Sequence, residues 1–450
     1  MRKVLVIYVL ITFIGHFAFA QSPAVLSKKE QAVVIDNWLE ERVQNLLPKL
    51  MEREEVDMWL IISREYNEDP VIRTFLPSTW FAARRRTMLL IYKAEGSEKV
   101  EALAVARYDV GKSFKRAWDP DLEPDQWKKL VELIQERNPK KLAINIGKDY
   151  GHADGLNVSE YNTLLEYLDE STKSKIVSAQ NLAVAWLETR TPSEMATYRQ
   201  LQTIANSIIA EGLSEKVITP GITTTDDVIW WYRERIAEMK LDTWFHPTVD
   251  IQRPDPASQE HLRSFAIKPD SQIIMPGDLL HIDFGITYLR LNTDTQQLAY
   301  VLKPGEHSVP KYLNDALKVG NRLQDLLTSN FVTGRTGNEI LRNTRSMMEK
   351  EGIQGSIYSH PMGYHGHASG PTIGMWDNQF DTPGAGDYPL YPNTAYAIEL
   401  NAVVFVKEWN KEIRVMLEEG AFFDGERVVY LDGRQKEILG IPRERKYLGN

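Results

Sequence analysis

Asp283 lies inside the apolar run Leu279-Leu280-His281-Ile282-Asp283-Phe284, and no other feature restricts this chain so strongly. A carboxylate in the interior of an apolar strand is costly unless it is paired, protonated or coordinated, so the position asks for a cation. Asp294 follows eleven residues later across a turn-like stretch, and a hairpin can bring the two together. Three of the nine histidines, His360, His365 and His367, fall within eight residues among glycines that let backbone approach a crowded centre. Glu399, after Ala395-Tyr396-Ala397-Ile398, and Glu418, after Val415-Met416-Leu417, occupy two further apolar strand-like segments. Glu419 beside Glu418 would face the other side of such a strand. Two aspartates, two glutamates and a histidine form an oxygen and nitrogen donor set suited to two divalent cations sharing bridging carboxylates.

The chain has no cysteine, which removes disulfides, thiol nucleophiles and thiolate metal sites together. Any metal must be held by carboxylates and imidazoles. That chemistry tolerates export, and the first twenty residues read as a secretory signal peptide: Arg2 and Lys3, the apolar run Val4 to Ile14, then Ala18-Phe19-Ala20 as a cleavage site. The apolar run is shorter than the ~20 residues that span a bilayer, so no stable membrane span is expected after cleavage. A periplasmic or secreted location follows as the expectation. The formal charge of −9 leaves no excess of cations to neutralise phosphates, which argues against a nucleic-acid partner.

At 450 residues the chain is long enough for two or three domains. A helix over 38–54, strands at 58–62, 87–92, 100–105 and 142–146, and helices at 124–137, 157–169 and 179–189 give α/β alternation that closes near Arg190. Thr191-Pro192-Ser193-Glu194 then opens a new unit, with a helix running to about Val217 and a second that begins after Asp226 and runs to about Lys240. Strands expected at 278–287, 295–302, 395–406 and 427–431, interrupted by helices at 312–329 and 337–351, make this part α+β. The Gly- and Pro-broken loop 376–392 is a candidate wall of the site.

The order Asp283, Asp294, a histidine followed by x-x-Gly, Glu399 and Glu418 resembles the metallopeptidases related to aminopeptidase P, prolidase and methionine aminopeptidase. Gly277 to Gly285 is similar to the family's strand around its first aspartate ligand, and Thr191 to Gly221 to its opening helix and the Pro-Gly after it. Arg84-Arg85-Arg86-Thr-Met-Leu-Leu-Ile is similar to the amino-terminal domain of the aminopeptidase P and prolidase branch. The resemblance implies a creatinase-like α/β domain over 21–190 and a pita-bread α+β catalytic domain over 191–450, often assembled as homodimers or larger. Carried over by match, Asp283 chelates one ion, Asp294 and Glu418 bridge both, and His367 and Glu399 bind the other. His367 is preferred here for its His-x-x-Gly370 spacing.

The resemblance further implies hydrolysis of the amino-terminal Xaa-Pro bond of a peptide substrate, with two divalent ions, Mn²⁺ expected and Zn²⁺ or Co²⁺ as alternatives. Glu399 would accept the proton of the attacking water, while His261 or His365 would stabilise the developing oxyanion. His246 competes with His261 as the upstream histidine that contacts substrate. The family pattern departs at Gly374, where a further histidine is expected seven residues after the ligand, and at Met416, where an arginine is common and Arg414 stands two positions earlier. The alternative activity is a non-peptidase hydrolase or a lyase on the same scaffold, of creatinase type or metal-dependent.

Overall fold

The computed structural model describes residues 25–254 and 270–443. The signal-peptide reading over 1–20 and the assignment of His261 lie outside these residues. A six-stranded mixed sheet forms first from β1 (Met58–Arg64), β2 (Arg86–Tyr92), β3 (Glu101–Val105), β4 (Lys115–Arg116), β5 (Leu142–Ile144) and β6 (Ile176–Ser178), in the order β4-β3-β2-β1-β5-β6. β1 is apolar on both faces because helices cover both. Trp59 and Ile61 pack with the helices Leu47–Arg53 and Gln180–Glu188, and Leu60 and Ile62 with Gln126–Arg137 and Val158–Tyr167.

The second sheet is larger. It contains β7 (Thr248–Gln252), β8 (Leu279–Phe284), β11 (Thr295–Val301), β12 (Gln354–Ile357), β13 (His360–Met362), β14 (Thr394–Val406), β15 (Lys411–Phe423), β16 (Val428–Tyr430) and β17 (Leu439–Ile441). The central path runs β12-β14-β15-β11-β8-β7, and the short pair β9 (Thr287–Tyr288) and β10 (Leu291–Asn292) forms a separate hairpin between β8 and β11. Leu280, Ile282 and Phe284 alternate with His281 and Asp283 and pack with the helices Pro192–Gly212 and Thr225–Glu238. Ile398, Leu400 and Leu417 alternate with Glu399 and Glu418 and pack with the helices Lys311–Thr328 and Gly337–Glu351. Two helix pairs therefore cover one face, and the carboxylates point to the other.

The junction between the sheets is structured rather than a loose linker. Thr189 bridges to Thr394, and the Arg190 N–H donates to the Asn393 carbonyl at 2.7 Å, so the connecting chain pairs with the start of β14. The amino-terminal helical run begins at Lys28, earlier than its apolar spacing suggests, and Trp38 packs in the core of the second sheet. The expected strand at 427–431 is Val428–Tyr430, whereas β7 was not anticipated because Thr248 and Asp250 interrupt its apolar character. In the loop 376–392, Tyr388 packs in the core of the first sheet and Phe380 is exposed beside Arg345, so these two aromatics do not line the site. Among the described residues no helix is long and apolar enough to cross a membrane.

Candidate metal centre and active site

Strand register alone assembles the acidic row. Glu399 on β14 is paired with Glu418 on β15, Glu418 with Gln296 on β11, and Gln296 with Asp283 on β8. Directly paired residues on neighbouring strands share a face, so four consecutive strands deliver three carboxylates and one amide in a line. Asp294 stands two residues before Gln296 and joins the same face. His360 on β13 pairs with Ala397, two residues before Glu399, which brings an imidazole over the row. Its Nε2 lies 3.7 Å from an Asp294 oxygen, 3.7 Å from Glu418 and 3.8 Å from Glu399.

Three donor groups result, each with atoms close enough to hold an ion: Asp283, Asp294 and Glu418; His360, Glu399 and Glu418; and Asp294, His360 and His367. Burial, followed by repulsion from Asp283 and Glu399, pushes the Asp294 carboxyl well above the carboxylate range. Glu418 rises for the same reasons, burial first and then Asp294, Glu399 and Asp283. Burial and Asp283 lift Glu399 to about 8, and burial lifts Asp283 to about 6 against the pull of His281. Burial, with His367 nearby, lowers His360 to about 3 and keeps it a neutral donor. Asp283 Oδ1, Glu418 Oε1 and His360 Nε2 are buried without a hydrogen-bond partner. Orphaned acceptors on crowded carboxylates fit divalent cations better than any partner the chain supplies.

His360 therefore occupies the place among the carboxylates that sequence spacing had suggested for His367. His367 meets only Asp294 and His360, and its ring is held edge-on by Trp244 at 5.1 Å and Tyr358 at 5.8 Å. Gly366 makes this possible, because a Cβ there would fall 2.1 Å from the Trp244 ring. The missed signal was in the sequence: His360-Pro-Met-Gly363 has the same x-x-Gly spacing, and the seventh residue after it is His367. Counted from His360, the apparent departure at Gly374 disappears.

His365 joins none of the donor groups. Its ring packs at a tilt of 36° against His152 of the first domain, centroids 4.1 Å apart, and burial followed by His152 lowers it to about 3. His246 is exposed beside Arg233 and Trp230 and belongs to none of the donor groups.

Gln296 was not anticipated. Its amide nitrogen donates to Glu399 Oε1 at 2.8 Å and Glu418 Oε2 at 3.0 Å, while its carbonyl oxygen lies 2.9 Å from His281 Nε2. His281 in turn has Nδ1 3.8 Å from Asp250. One amide thus fixes the rotamers of two ligand carboxylates and is itself oriented from behind. Gln296→Leu is expected to weaken divalent-ion affinity about 10- to 100-fold while leaving the fold intact, measured by titration of the stripped protein with Mn²⁺.

This fold and this donor set define a metallopeptidase of the pita-bread type, with an amino-terminal α/β domain of creatinase type. Residues 196–425 match the model of metallopeptidase family M24, just over half of the chain, and the chain belongs to that family. A search of curated protein sequences returned no match. Among solved structures, the chain resembles an X-Pro aminopeptidase from Thermotoga maritima at 16% identity and a TM-score of 0.59, covering 86% of this chain and 99% of that one. It also resembles an Xaa-Pro dipeptidase from Bacillus anthracis, at 16% identity and a TM-score of 0.56, with 92% and 100% covered. A prolidase from Thermococcus sibiricus aligns at 14% identity and a TM-score of 0.54, with 93% and 100% covered. These likenesses establish the shared fold.

Proposed function

We propose that the chain is an exported, dinuclear, metal-dependent peptidase that releases the amino-terminal residue from Xaa-Pro peptides. The observation that carries this is the row of four crowded carboxylates, Asp294 and Glu418 buried and Asp283 and Glu399 half-buried, each with its pKa raised by burial and by its acidic neighbours. Asp283, Asp294 and Glu418 would hold one ion and His360, Glu399 and Glu418 the other, with Glu418 common to both and Asp294 within reach of His360. When bound, two such ions activate a water and polarise the scissile carbonyl. Mn²⁺ is the expected pair because the donors are mostly carboxylate oxygens.

The remaining roles fall to the chain. Glu399 is the proton acceptor, held toward the row by Gln296. His367, edge-on to Trp244 and Tyr358, would contact the reacting carbonyl, with His365 and His261 as further contacts to the substrate. A homodimer is the expected assembly. The test is release of the first residue from Xaa-Pro dipeptides and longer Xaa-Pro peptides by mature protein supplied with Mn²⁺. Release abolished by chelation is expected. No release by protein carrying two bound ions would overturn the activity.

A further inference from the structure

The acidic row does not account for two arginines beside it. The β9–β10 hairpin turns through Leu289 and Arg290, whose φ angles are +53° and +64°. Two successive residues at positive φ are the signature of a tight hairpin turn that strongly prefers Asn-Gly, so Leu-Arg is strained there. Leu289 is repaid by burial in the core. Arg290 instead sends its guanidinium to the first domain, donating to the Leu76 carbonyl at 2.8 Å and the Pro77 carbonyl at 3.2 Å. Burial pushes its pKa down and outweighs the opposing pull of Tyr364 and Asp36, neither of which forms a salt bridge with it. A desolvated guanidinium whose hydrogen bonds go to neutral carbonyls is an environment that an anion stabilises.

Arg290 lines a cavity of about 560 Å³ together with Arg73 and His152 from the first domain and Asn292, His365 and His367 from the second. His367 also reaches Asp294 and His360, so the cavity opens one side chain away from the acidic row. Arg73 is largely exposed, with a single long contact to Glu68 at 3.6 Å. In a dipeptide the free carboxylate lies within about one residue, 3.8 Å between Cα atoms, of the bond to be cut. A longer peptide carries a neutral amide at that point.

Resting on the peptidase activity proposed above, we infer that Arg290, assisted by Arg73, binds the free carboxylate just beyond the scissile bond, which makes the substrate class dipeptides. The test compares glycyl-proline, glycyl-prolinamide and glycyl-prolyl-glycine on Mn²⁺-loaded wild type, Arg290→Gln and Arg73→Gln. In parallel, the uncleavable reduced-bond analogue of glycyl-proline and its amide are titrated calorimetrically. The acid is expected to be favoured over its amide about 10- to 100-fold in kcat/KM and in affinity. Arg290→Gln should erase that preference through KM, leaving kcat and the amide unchanged, and Arg290→Lys should restore part of it.

Equal use of acid and amide, preference for the tripeptide, or an equal loss on both in Arg290→Gln would overturn the inference. Glycyl-4-carboxyprolinamide, which keeps the Xaa-Pro bond and has its only carboxylate on the ring, should behave like the amide. If it matches glycyl-proline, the subsite reads side chains and the dipeptide assignment falls. If nothing is cleaved, the peptidase proposal fails, and the analogue titration still decides the subsite. Should Arg290→Gln not fold, Arg73→Gln and the wild-type acid and amide pair decide it.

Discussion

Asp294→Asn is expected to melt above wild type when both proteins are stripped of metal and below it when both are loaded with Mn²⁺. The substitution keeps the shape of the side chain and removes one of four crowded charges, so the stripped protein loses a repulsion and the loaded protein loses a ligand. Asp294 is almost completely buried, and its carboxyl is raised by burial, Asp283 and Glu399. The pH dependence has a definite sign. Carboxyls raised in the folded state, such as Asp283 at about 6 and Glu399 at about 8, retain protons that the unfolded chain has released. Their contribution is fully present below the unfolded values near 4 and is lost as pH rises through the folded ones. The advantage of stripped Asp294→Asn should therefore be larger at pH 8 than at pH 6. Metal opposes the trend, because ions compete with protons for the same oxygens and bind better as pH rises. Activity should fall at least about 10³-fold, equivalent to about 4 kcal/mol of transition-state stabilisation. Thermal melts of stripped and reconstituted protein at both pH values, with bound metal counted, decide the matter. A stripped variant no more stable than stripped wild type at pH 8 would remove the electrostatic basis of the metal centre.

How far this architecture is legible in the sequence depends on which physical signal each residue leaves. β8 and β14 are readable because a single carboxylate interrupts an otherwise apolar run, at Asp283 and at Glu399. The back-face helices are readable from apolar periodicity, as with Leu313, Leu317, Leu323 and Leu327 in Lys311–Thr328. The place of His360 is not so readable. Both it and His367 precede an x-x-Gly, and the distinction rests on the pairing of β13 with Ala397. That strand is three residues long and contains Pro361, so neither alternation nor β-propensity marks it. Gln296 is equally silent as a letter, since an amide acquires its role only from the cross-strand register that places it between Asp283 and Glu418. Contacts between domains leave the least trace. Arg42 reads as a polar residue on a helix surface but is fully buried, and Tyr388 reads as a loop aromatic but fills the first core.

Arg42 introduces the second buried acid system, where the opposite response to neutralisation is expected. Glu194, in the first turn of Pro192–Gly212, accepts from Arg42 at 2.9 Å, from the Thr191 N–H at 2.8 Å, and at 3.4 Å from both Arg190 and Tyr364. The side chains of Arg42, Arg190 and Glu194 are fully buried. The two guanidiniums also lie over the Tyr364 ring, Arg42 at 5.2 Å and Arg190 at 4.9 Å. One carboxylate therefore ties the amino-terminal helical run, the domain junction and the histidine-bearing loop together. Burial alone would raise this carboxyl, but Arg190 and Arg42 outweigh it and hold it below its ordinary value. Glu194→Gln leaves both guanidiniums buried without a counter-charge, a change that costs about 3–5 kcal/mol. A carboxyl lowered in the folded state contributes stability above its unfolded pKa, near 4.5, and loses it as pH falls through the folded value. The deficit of Glu194→Gln should thus be greatest at neutral pH and shrink in acid, the reverse of the carboxylates on the sheet. Denaturant unfolding of both variants from pH 4 to pH 8 tests the contrast directly. Parallel pH dependences would mean that the two acids share one kind of environment, and the division between a cluster compensated by arginine and one that requires metal would fall.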